Sequence, residues 1–183
     1  MRAALPAELA GWAAQTPVSA GVKPGDGATV AIGQGARVDI SQPNANAAIL
    51  NRVTGSTPST IAGQLNANGQ VYLVNPNGIA ITPTGTVQAG AFVGSSLDIA
   101  DDDFKAGRRN FRGNGRSAGV SNAGSIDIAK GGYAALLGGQ VDNSGTISVP
   151  LGRVGLGAGD VLASESQLPQ GGRSAEAVPE VDE

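Results

Sequence analysis

The residues best suited to do chemistry lie in one charged segment, Asp98–Arg116. Its acidic side chains belong to Asp98, Asp101, Asp102 and Asp103. Its basic side chains belong to Lys105, Arg108, Arg109, Arg112 and Arg116. Paired carboxylates that face a groove cleave glycosidic bonds, and clustered carboxylates bind calcium. The charged segment therefore raises two hypotheses, a sugar-processing site and a calcium site.

The spacing of these acids favours neither hypothesis. Asp101, Asp102 and Asp103 are consecutive, so in an extended chain neighbouring side chains point in opposite directions. The segment also lacks the EF-hand pattern and the glycine-rich calcium-binding nonapeptide. We expect a solvated loop on the outside of the main body, anchored by Phe104 and Phe111, in which the arginines pair with nearby acids. Contacts of these arginines with anionic glycans or lipid headgroups stay open as the alternative.

A glycine-rich stretch follows, Gly113-Asn-Gly-Arg-Ser-Ala-Gly119. It is only loosely similar to a phosphate-binding loop, because its spacing fits neither the dinucleotide fingerprint nor the P-loop. No Lys-Ser or Lys-Thr pair follows it. We interpret it as a flexible return of the chain to the main body.

The composition excludes several classes of function. The chain contains no cysteine and no histidine, which rules out disulfide frameworks, thiolate metal sites and imidazole-dependent triads. Its 12 basic and 15 acidic residues give a formal net charge of −3, without the basic excess typical of nucleic-acid binding. No run approaches the roughly 18 apolar residues of a membrane span. We expect no cofactor, no metal, no nucleic-acid partner and no transmembrane segment.

The elements that position these residues are short strands separated by turns. Within Asn66–Val93, each of the turns Asn68-Gly69, Asn77-Gly78 and Thr84-Gly85 precedes an apolar, β-branched run. At 183 residues the chain is long enough for one domain, yet aromatics make up 3% and glycine contributes 29 residues. A core of stacked small aliphatic side chains, as in a solenoid, fits this composition best.

An internal repeat indicates which solenoid this is. Residues 120–140 align without gaps on residues 141–161. The identical pairs are Val120/Val141, Asn122/Asn143, Gly124/Gly145, Ile126/Ile147, Gly131/Gly152 and Gly138/Gly159. A period of about 20 residues without a helical pattern predicts a parallel β-helix of on the order of six coils, with the two asparagines forming a side-chain ladder. The fixed leucine spacing of a leucine-rich solenoid is absent.

Three regions follow from these patterns. Residues 1–24 form a poorly defined segment with at most one helical turn, around Glu8–Ala14, and no evident signal peptide. Residues 25–163 form the β-helical domain, in which Thr57 or Ser59 is a candidate cap for a short helical turn through Ile61. Residues 164–183 carry five acids against Arg173, and we expect a disordered acidic tail.

Several stretches resemble the haemagglutination-activity domain, the secretion domain of filamentous-haemagglutinin-like exoproteins of two-partner secretion. They are Asn51-Arg52-Val53-Thr54-Gly55, the run Ile61–Ile79 and Leu97-Asp98-Ile99 before Phe104. The resemblance covers roughly residues 31–162. It implies an all-β, right-handed parallel β-helix without catalytic activity, which a dedicated outer-membrane transporter recognises in the periplasm. It also implies a location outside the cell or on its surface, and leaves open a host-cell or glycan ligand.

The resemblance points to particular residues. A turn associated with secretion competence in the family is complete here as Asn75, Pro76, Asn77, Gly78 and Ile79, and Asn51, Arg52, Val53, Asn68 and Gly69 match structural positions. The family's second turn, Asn-Pro-Asn-Leu, has only Gln42-Pro43-Asn44-Ala45 as a poor counterpart. Recognition by the transporter and a purely structural role in setting coil register both remain open for Asn75–Ile79. The alternative function is a β-helical protein that binds or degrades a polysaccharide through Asp98–Asp103.

Overall fold

The computed structural model describes residues 12–13 and 30–162. Its elements, in chain order, are β1 (Trp12–Ala13), β2 (Ala31–Ile32), β3 (Arg37–Ile40), β4 (Ala48–Arg52), β5 (Ser59–Ile61), β6 (Gln64–Ala67), β7 (Gln70–Val74), β8 (Ile79–Ile81), β9 (Thr86–Ala89), β10 (Ala91–Ser95), β11 (Asp98–Ile99), α1 (Asp101–Lys105), β12 (Phe111–Arg112), β13 (Gly119–Asn122), β14 (Ser125–Ile128), β15 (Tyr133–Gly138), β16 (Gln140–Asn143), β17 (Thr146–Ser148), β18 (Arg153–Ala158) and β19 (Val161–Leu162). Each of the three turns that the sequence singled out leads into a strand, β7, β8 or β9.

The strands wind into a parallel β-helix with three faces. Sheet A has the order β1-β4-β7-β10-β15-β18, sheet B the order β16-β13-β8-β5-β2, and sheet C the order β17-β14-β9-β6-β3. Every pairing in these sheets is parallel except that of β1, which lies antiparallel against β4. The predicted parallel β-helix is therefore confirmed.

The described residues form five coils, each made of one strand from sheets B, C and A in turn. The prediction of about six assumed a constant period. The spacing is regular between Thr60 and its partner Ala80, but Ala31 pairs with Thr60, so the first coil is much longer. Another coil, from Ala80 to its partner Ser121, contains the charged segment.

The inward side chains form one apolar column. Within each coil the buried positions of the three sheets stack on those of the next coil, as with Val87 on Ile126, both fully buried. Most members are Ile, Val, Leu or Ala, and Phe92 adds the one aromatic ring to the buried cluster. The predicted asparagine ladder is present, because Nδ2 of Asn122 donates to Oδ1 of Asn143 at 2.8 Å.

The ungapped alignment of residues 120–140 on residues 141–161 predicts the observed strand pairing for only half a coil. Val120 pairs with Val141 and Ile126 with Ile147, but Tyr133 pairs with Arg153, a shift of one residue. Four residues, 129–132, form the turn in one coil, and three, 150–152, form it in the next. The predicted pairs Gly131/Gly152 and Gly138/Gly159 are therefore wrong, and Gly138 pairs with Ala158.

One predicted helical turn, through Ile61, is also wrong. Ser59–Ile61 is strand β5, in which Ser59 and Ile61 point inward and are buried. Stacking on β8 outweighs the local capping preference of Thr57 and Ser59. Trp12–Ala13 is a strand on the edge of β4, and the rest of Glu8–Ala14, where we expected at most one helical turn, lies outside the described residues. The expected acidic tail, residues 164–183, lies outside the described residues.

The charged segment lies on the outside of the solenoid, as predicted. Strands β11 and β12 pair antiparallel with each other, and β12 pairs antiparallel with β19. The segment contains helix α1, which the sequence analysis did not predict. It is the only helix among the described residues, and it is far too short and polar to cross a membrane.

The charged segment covers the outer face of sheet A rather than extending into solvent. Its two phenylalanines are buried there, Phe104 at 7% and Phe111 at 1% exposure, against Tyr72 and a second apolar cluster. The ring of Phe104 meets that of Tyr72 edge-on at 5.2 Å between centroids. The guanidinium of Arg109 lies 4.9 Å from the centre of the Tyr72 ring, and its Nε donates to the Tyr72 hydroxyl at 2.7 Å.

The buried hydroxyl of Tyr72 makes the stability of the fold depend on pH in the alkaline range. Burial, and then the neighbouring Tyr133 hydroxyl, raise the pKa of Tyr72 above its ordinary value. The unfolded chain loses this proton near pH 10, whereas the folded chain keeps it. The contribution of Tyr72 to the free energy of unfolding is therefore fully present below pH 10 and is lost as the pH rises further.

We expect the free energy of unfolding to fall by about 1.4 kcal/mol per pH unit above pH 10. Denaturant titrations at several pH values measure it. Tyr72→Phe should flatten the slope, and an unchanged slope in that variant would contradict the assignment.

Candidate functional site

The turn Asn75–Ile79 connects sheet A to sheet B between the second and third coils. Gly78 N donates to the Asn75 carbonyl at 3.0 Å, closing the turn. Gly78 has φ of 109°, and an added Cβ would lie 2.9 Å from the Gly119 carbonyl oxygen, so both conformation and space require glycine. Ile79 then enters the core as the first residue of β8.

The side chain of Asn75 holds the turn together from inside. It is 0% exposed. Its Oδ1 accepts from the main-chain N of Asn77 at 2.9 Å and from Asn77 Nδ2 at 3.0 Å. Its Nδ2 donates to the Thr57 carbonyl at 3.0 Å and to Ser59 Oγ at 2.8 Å. Both polar atoms of the amide therefore have partners within the fold.

The turn is also fastened to the coil before it. Asn77 Nδ2 donates to the Gly55 carbonyl at 2.7 Å, and Ser59 N donates to the Gly78 carbonyl at 3.0 Å. Two successive corners of the solenoid are thus locked in register. This geometry supports the structural interpretation of Asn75–Ile79.

A groove of about 370 Å³ opens beside this turn on the outer face of sheet B. Its floor is made of small outward residues that stack from coil to coil, Ala80 beside Ser121 and Ser121 beside Asp142. Asn77, Gly78, Gly119 and Gln140 also line it. The groove presents the side-chain amides of Asn77 and Gln140 and the carboxylate of Asp142.

The Asn51-Arg52-Val53 positions are neighbours of the turn. Val53 is buried, and its N donates to the Val74 carbonyl at 2.8 Å, just before Asn75. Asn51 is 1% exposed and donates from Nδ2 to the Tyr72 carbonyl at 3.1 Å. Both residues join the first coil to the second.

Arg52 points outward and holds the charged segment. Its Nε donates to Asp98 and its Nη1 to Asp101, each at 2.8 Å, and Nη2 donates to the Ile99 carbonyl. Burial alone would lower the pKa of Arg52, but hydrogen bonds to Asp101 and Asp98 outweigh burial and raise it. The guanidinium therefore stays charged.

Removing Arg52 should loosen the charged segment. Arg52→Ala takes away three hydrogen bonds from a side chain that is 22% exposed, and we expect a loss of about 1 to 2 kcal/mol of stability. Faster chymotrypsin cleavage at Phe104 or Phe111 measures the loosening. Arg108→Ala is the control, because the Arg108–Asp103 pair, at 2.7 Å, involves an arginine that is 57% exposed. Equal cleavage rates in the two variants would contradict the role of Arg52.

Asn68 and Gly69 hold the corner at Gln42. Asn68 accepts from Gln42 N at 2.7 Å and donates to the Gln42 carbonyl at 2.8 Å. The Gln42 side chain is 4% exposed and donates to the carbonyls of Ala47 and Gln70. A Cβ on Gly69 would lie 2.6 Å from the Ala47 oxygen and from Gln42 atoms, so only glycine fits beside this turn. Gln42–Ala45 is thus a second ordered turn with a buried first side chain.

The acids of the charged segment serve as ion-pair partners. Asp98 and Asp101 bind Arg52, and Asp103 binds Arg108. Pairing of Arg108 with the acids is as predicted, whereas Arg109 packs on Tyr72 and Phe104 instead. Among the described residues, no group of three or more acidic side chains is arranged to hold a metal ion. This arrangement does not favour a glycosidase or calcium site.

The loop Gly113–Gly119 does not form a phosphate cradle. Asp160 Oδ1 accepts from Ser117 Oγ at 2.5 Å, and an added Cβ on Gly113 would lie 2.2 Å from the same oxygen. A carboxylate facing these groups would repel a phosphate. The loop instead joins the charged segment to the last described coil, where Gly113 N donates to the Asp160 carbonyl.

The sequence analysis did not predict that Tyr72 and Arg109 pack together, or that Arg52 binds the charged segment. One signal was present. Four consecutive residues of β7, Val71–Val74, are apolar or aromatic, a pattern that indicates a strand covered on both faces rather than one.

Similar proteins extend this description. The TPS secretion domain family matches residues 30–182. Two heme/hemopexin-binding proteins of Haemophilus influenzae are 44% and 43% identical over 68 residues, which is 37% of this chain and only 8% and 7% of theirs. The crystal structure of the HMW1 secretion domain from Haemophilus influenzae superposes with a TM-score of 0.75 and 37% identity, covering 82% of this chain and 41% of that one.

The chain spans less than half of the solved domain and under a tenth of the two curated relatives. The family match nevertheless takes in every coil described above. With this match and the shared β-helix, the chain belongs to the TPS secretion domain family, the secretion domain of two-partner exoproteins that cross the bacterial outer membrane.

Proposed function

We propose that this domain is recognised in the periplasm by the outer-membrane transporter of its exoprotein, through the groove beside Asn75–Ile79. One observation carries the choice of surface. The polar atoms of Asn75 are engaged within the turn, whereas the groove floor of Ala80, Ser121 and Asp142 faces outward. Asn75 then acts on export by shaping the turn, and Ala80, Ser121 and Asp142 are the contact positions.

The groove suits an extended polypeptide. Its floor of small side chains leaves room for an extended chain on the outer face of sheet B, where the side-chain amides of Asn77 and Gln140 lie beside it. Asp142 would select a basic or amide side chain at one end. Among the described residues, strands β16, β17 and β18 each have one edge without a paired strand, and such an edge gives a second route for strand pairing.

The test is a binding measurement with a groove variant and a matched control. Ala80→Arg fills the groove with a long side chain, whereas Gln88→Arg places the same side chain outward on sheet C. Each purified variant is titrated with the periplasmic part of a cognate-type transporter. We expect Ala80→Arg to weaken binding by about tenfold or more and Gln88→Arg to leave it unchanged.

Equal thermal stability of the two variants is the control for folding. Wild-type affinity in Ala80→Arg would exclude the groove as the contact surface. Equal weakening in both variants would point instead to a loss of general charge complementarity.

For the whole exoprotein, we propose secretion to the medium or the cell surface. The names of the two curated relatives concern heme and hemopexin, but those proteins are more than ten times the matched length. A host-cell or glycan ligand would belong to regions outside this solenoid. Release of the protein into the medium, compared with retention on cells, distinguishes the two destinations.

A further inference from the structure

The sequence contains three Asn-Gly pairs, and the fold places them in different surroundings. We name them the first pair (Asn68-Gly69), the second pair (Asn77-Gly78) and the third pair (Asn114-Gly115). In such a pair the glycine nitrogen can attack the side-chain amide of the asparagine, because glycine has no side chain to hinder the approach. The first two pairs form corners of the solenoid, whereas the third lies in the loop Gly113–Gly119.

The first and second pairs are held closed. In the first pair, both polar atoms of the asparagine amide bond to the main chain of Gln42, at 2.7 and 2.8 Å, and the glycine is buried. In the second pair, the amide donates to the Gly55 carbonyl at 2.7 Å. The glycine nitrogen of that pair, the atom that would attack, donates to the Asn75 carbonyl at 3.0 Å. Cyclisation of either pair therefore requires these bonds to open first.

The third pair is open. Asn114, Gly115 and Arg116 are all exposed. A Cβ added to Gly115 would come no closer than 3.9 Å to Asp160 Oδ2, so the space around this residue is free. Oδ1 of Asn114 accepts from Arg116 N at 2.9 Å. A donor at this oxygen stabilises the negative charge that develops there when a nucleophile attacks the amide carbon.

We propose that Asn114 is a site of spontaneous succinimide formation, and that it converts to aspartate and isoaspartate while the first and second pairs stay intact. N of Gly115 attacks Cγ of Asn114, and the new N–Cγ bond closes the ring as the Cγ–Nδ2 bond breaks. The proton of Gly115 N passes through solvent to Nδ2, which departs as ammonia. Water then opens the ring at either carbonyl, giving an aspartyl residue or an isoaspartyl link with an extra main-chain carbon. The conversion is independent of transporter recognition.

The conversion alters a loop that Asp160 holds at two points. N of Gly113 donates to the Asp160 carbonyl at 2.6 Å, and Ser117 Oγ donates to Asp160 Oδ1 at 2.5 Å. An isoaspartyl link lengthens the main chain between these two points, and both products add a carboxylate to a loop that already borders one. The loop then continues to Gly119, which lines the groove on sheet B. We expect the two hydrogen bonds to Asp160 to weaken in the converted protein.

Ageing of the purified, unsubstituted chain tests the selectivity. The protein is incubated at neutral and mildly alkaline pH, and mass spectrometry of peptides quantifies the amide, acid and isoaspartyl forms of each pair over time. In the folded protein we expect Asn114 to convert about tenfold faster, or more, than Asn68 and Asn77, because the closed pairs react only from locally open states. In concentrated urea the three rates should become similar, since no pair is then protected.

Asn114→Gln is the matched control, because its amide stays neutral while the longer side chain closes a ring far more slowly. Hydrogen exchange at Gly113 N should accelerate during ageing of the unsubstituted chain and stay constant in Asn114→Gln. A folded protein in which Asn114 keeps its amide as long as Asn68 and Asn77 do would overturn the proposed site. Faster conversion of Asn114 that persists unchanged in urea would show that the fold does not protect the other pairs, and would overturn the proposed selectivity.

Discussion

Replacing Asn75 with alanine is expected to lower the free energy of unfolding by about 3 kcal/mol, or to lower Tm by about 10 °C. The amide makes four hydrogen bonds at a fully buried position. Without it, the Asn77 N and the Thr57 carbonyl lose partners that water would replace only by entering the turn. Because the turn borders the proposed contact groove, transporter-dependent export should fall as well.

A matched control separates this buried amide from asparagine turns in general. Asn44 Oδ1 accepts from the main-chain N of Asn46 and Ala47, at 2.9 and 3.0 Å, but Asn44 is exposed. Asn44→Ala should cost about 1 kcal/mol and leave export unchanged. Thermal denaturation and secretion are measured on both variants. Similar losses in the two would show that burial of Asn75 has no special consequence.

Replacing Gly124 with alanine is expected to cost about 3 kcal/mol or more, at the upper end of overpacking effects. Its added Cβ would lie 2.2 Å from the Gly85 carbonyl oxygen and 2.4 Å from that of Thr82. Both are backbone atoms of the preceding coil, so relief requires the coils to separate. The same contact recurs one coil later, where a Cβ on Gly145 would meet the Gly124 oxygen at 2.2 Å.

Gly33→Ala is the control for this glycine stack. A Cβ added to Gly33 would meet no atom within 4 Å, and the backbone there has no positive φ. Its replacement should change stability by about 0.5 kcal/mol or less. Denaturant unfolding of both variants provides the comparison, and a Gly124→Ala protein as stable as Gly33→Ala would contradict the close approach of successive coils at this corner.

The parallel β-helix could be predicted from the sequence because the turn residues and the repeat that specify it are local and recur along the chain. Asn-Gly and Thr-Gly pairs mark the turns between successive strands. The spacing of Val120 from Val141 and of Ile126 from Ile147 equals the length of that coil. Ungapped alignment failed after Ile128, because a turn tolerates one residue more or less while the strands on both sides keep their pairing.

The contacts of the candidate site were less accessible from sequence. Arg52 is 46 residues from Asp98, and Arg109 is 37 residues from Tyr72. No local pattern specifies which acid an arginine will reach when the partner lies on a different coil. The burial of Asn75 likewise depends on Thr57 and Ser59 of the preceding coil, and this distinguishes an internal clamp from an exposed recognition residue.

Secretion through a partner transporter tests the central claim most directly. Residues 1–183 are fused to a working signal peptide and expressed with or without a cognate-type outer-membrane transporter, and the protein in the medium is quantified. We expect export only with the transporter. Export should be reduced in Asn75→Ala and Ala80→Arg and should stay at the wild-type level in Gln88→Arg. Folded wild-type protein that stays in the periplasm whether or not the transporter is present would contradict recognition of this domain for export.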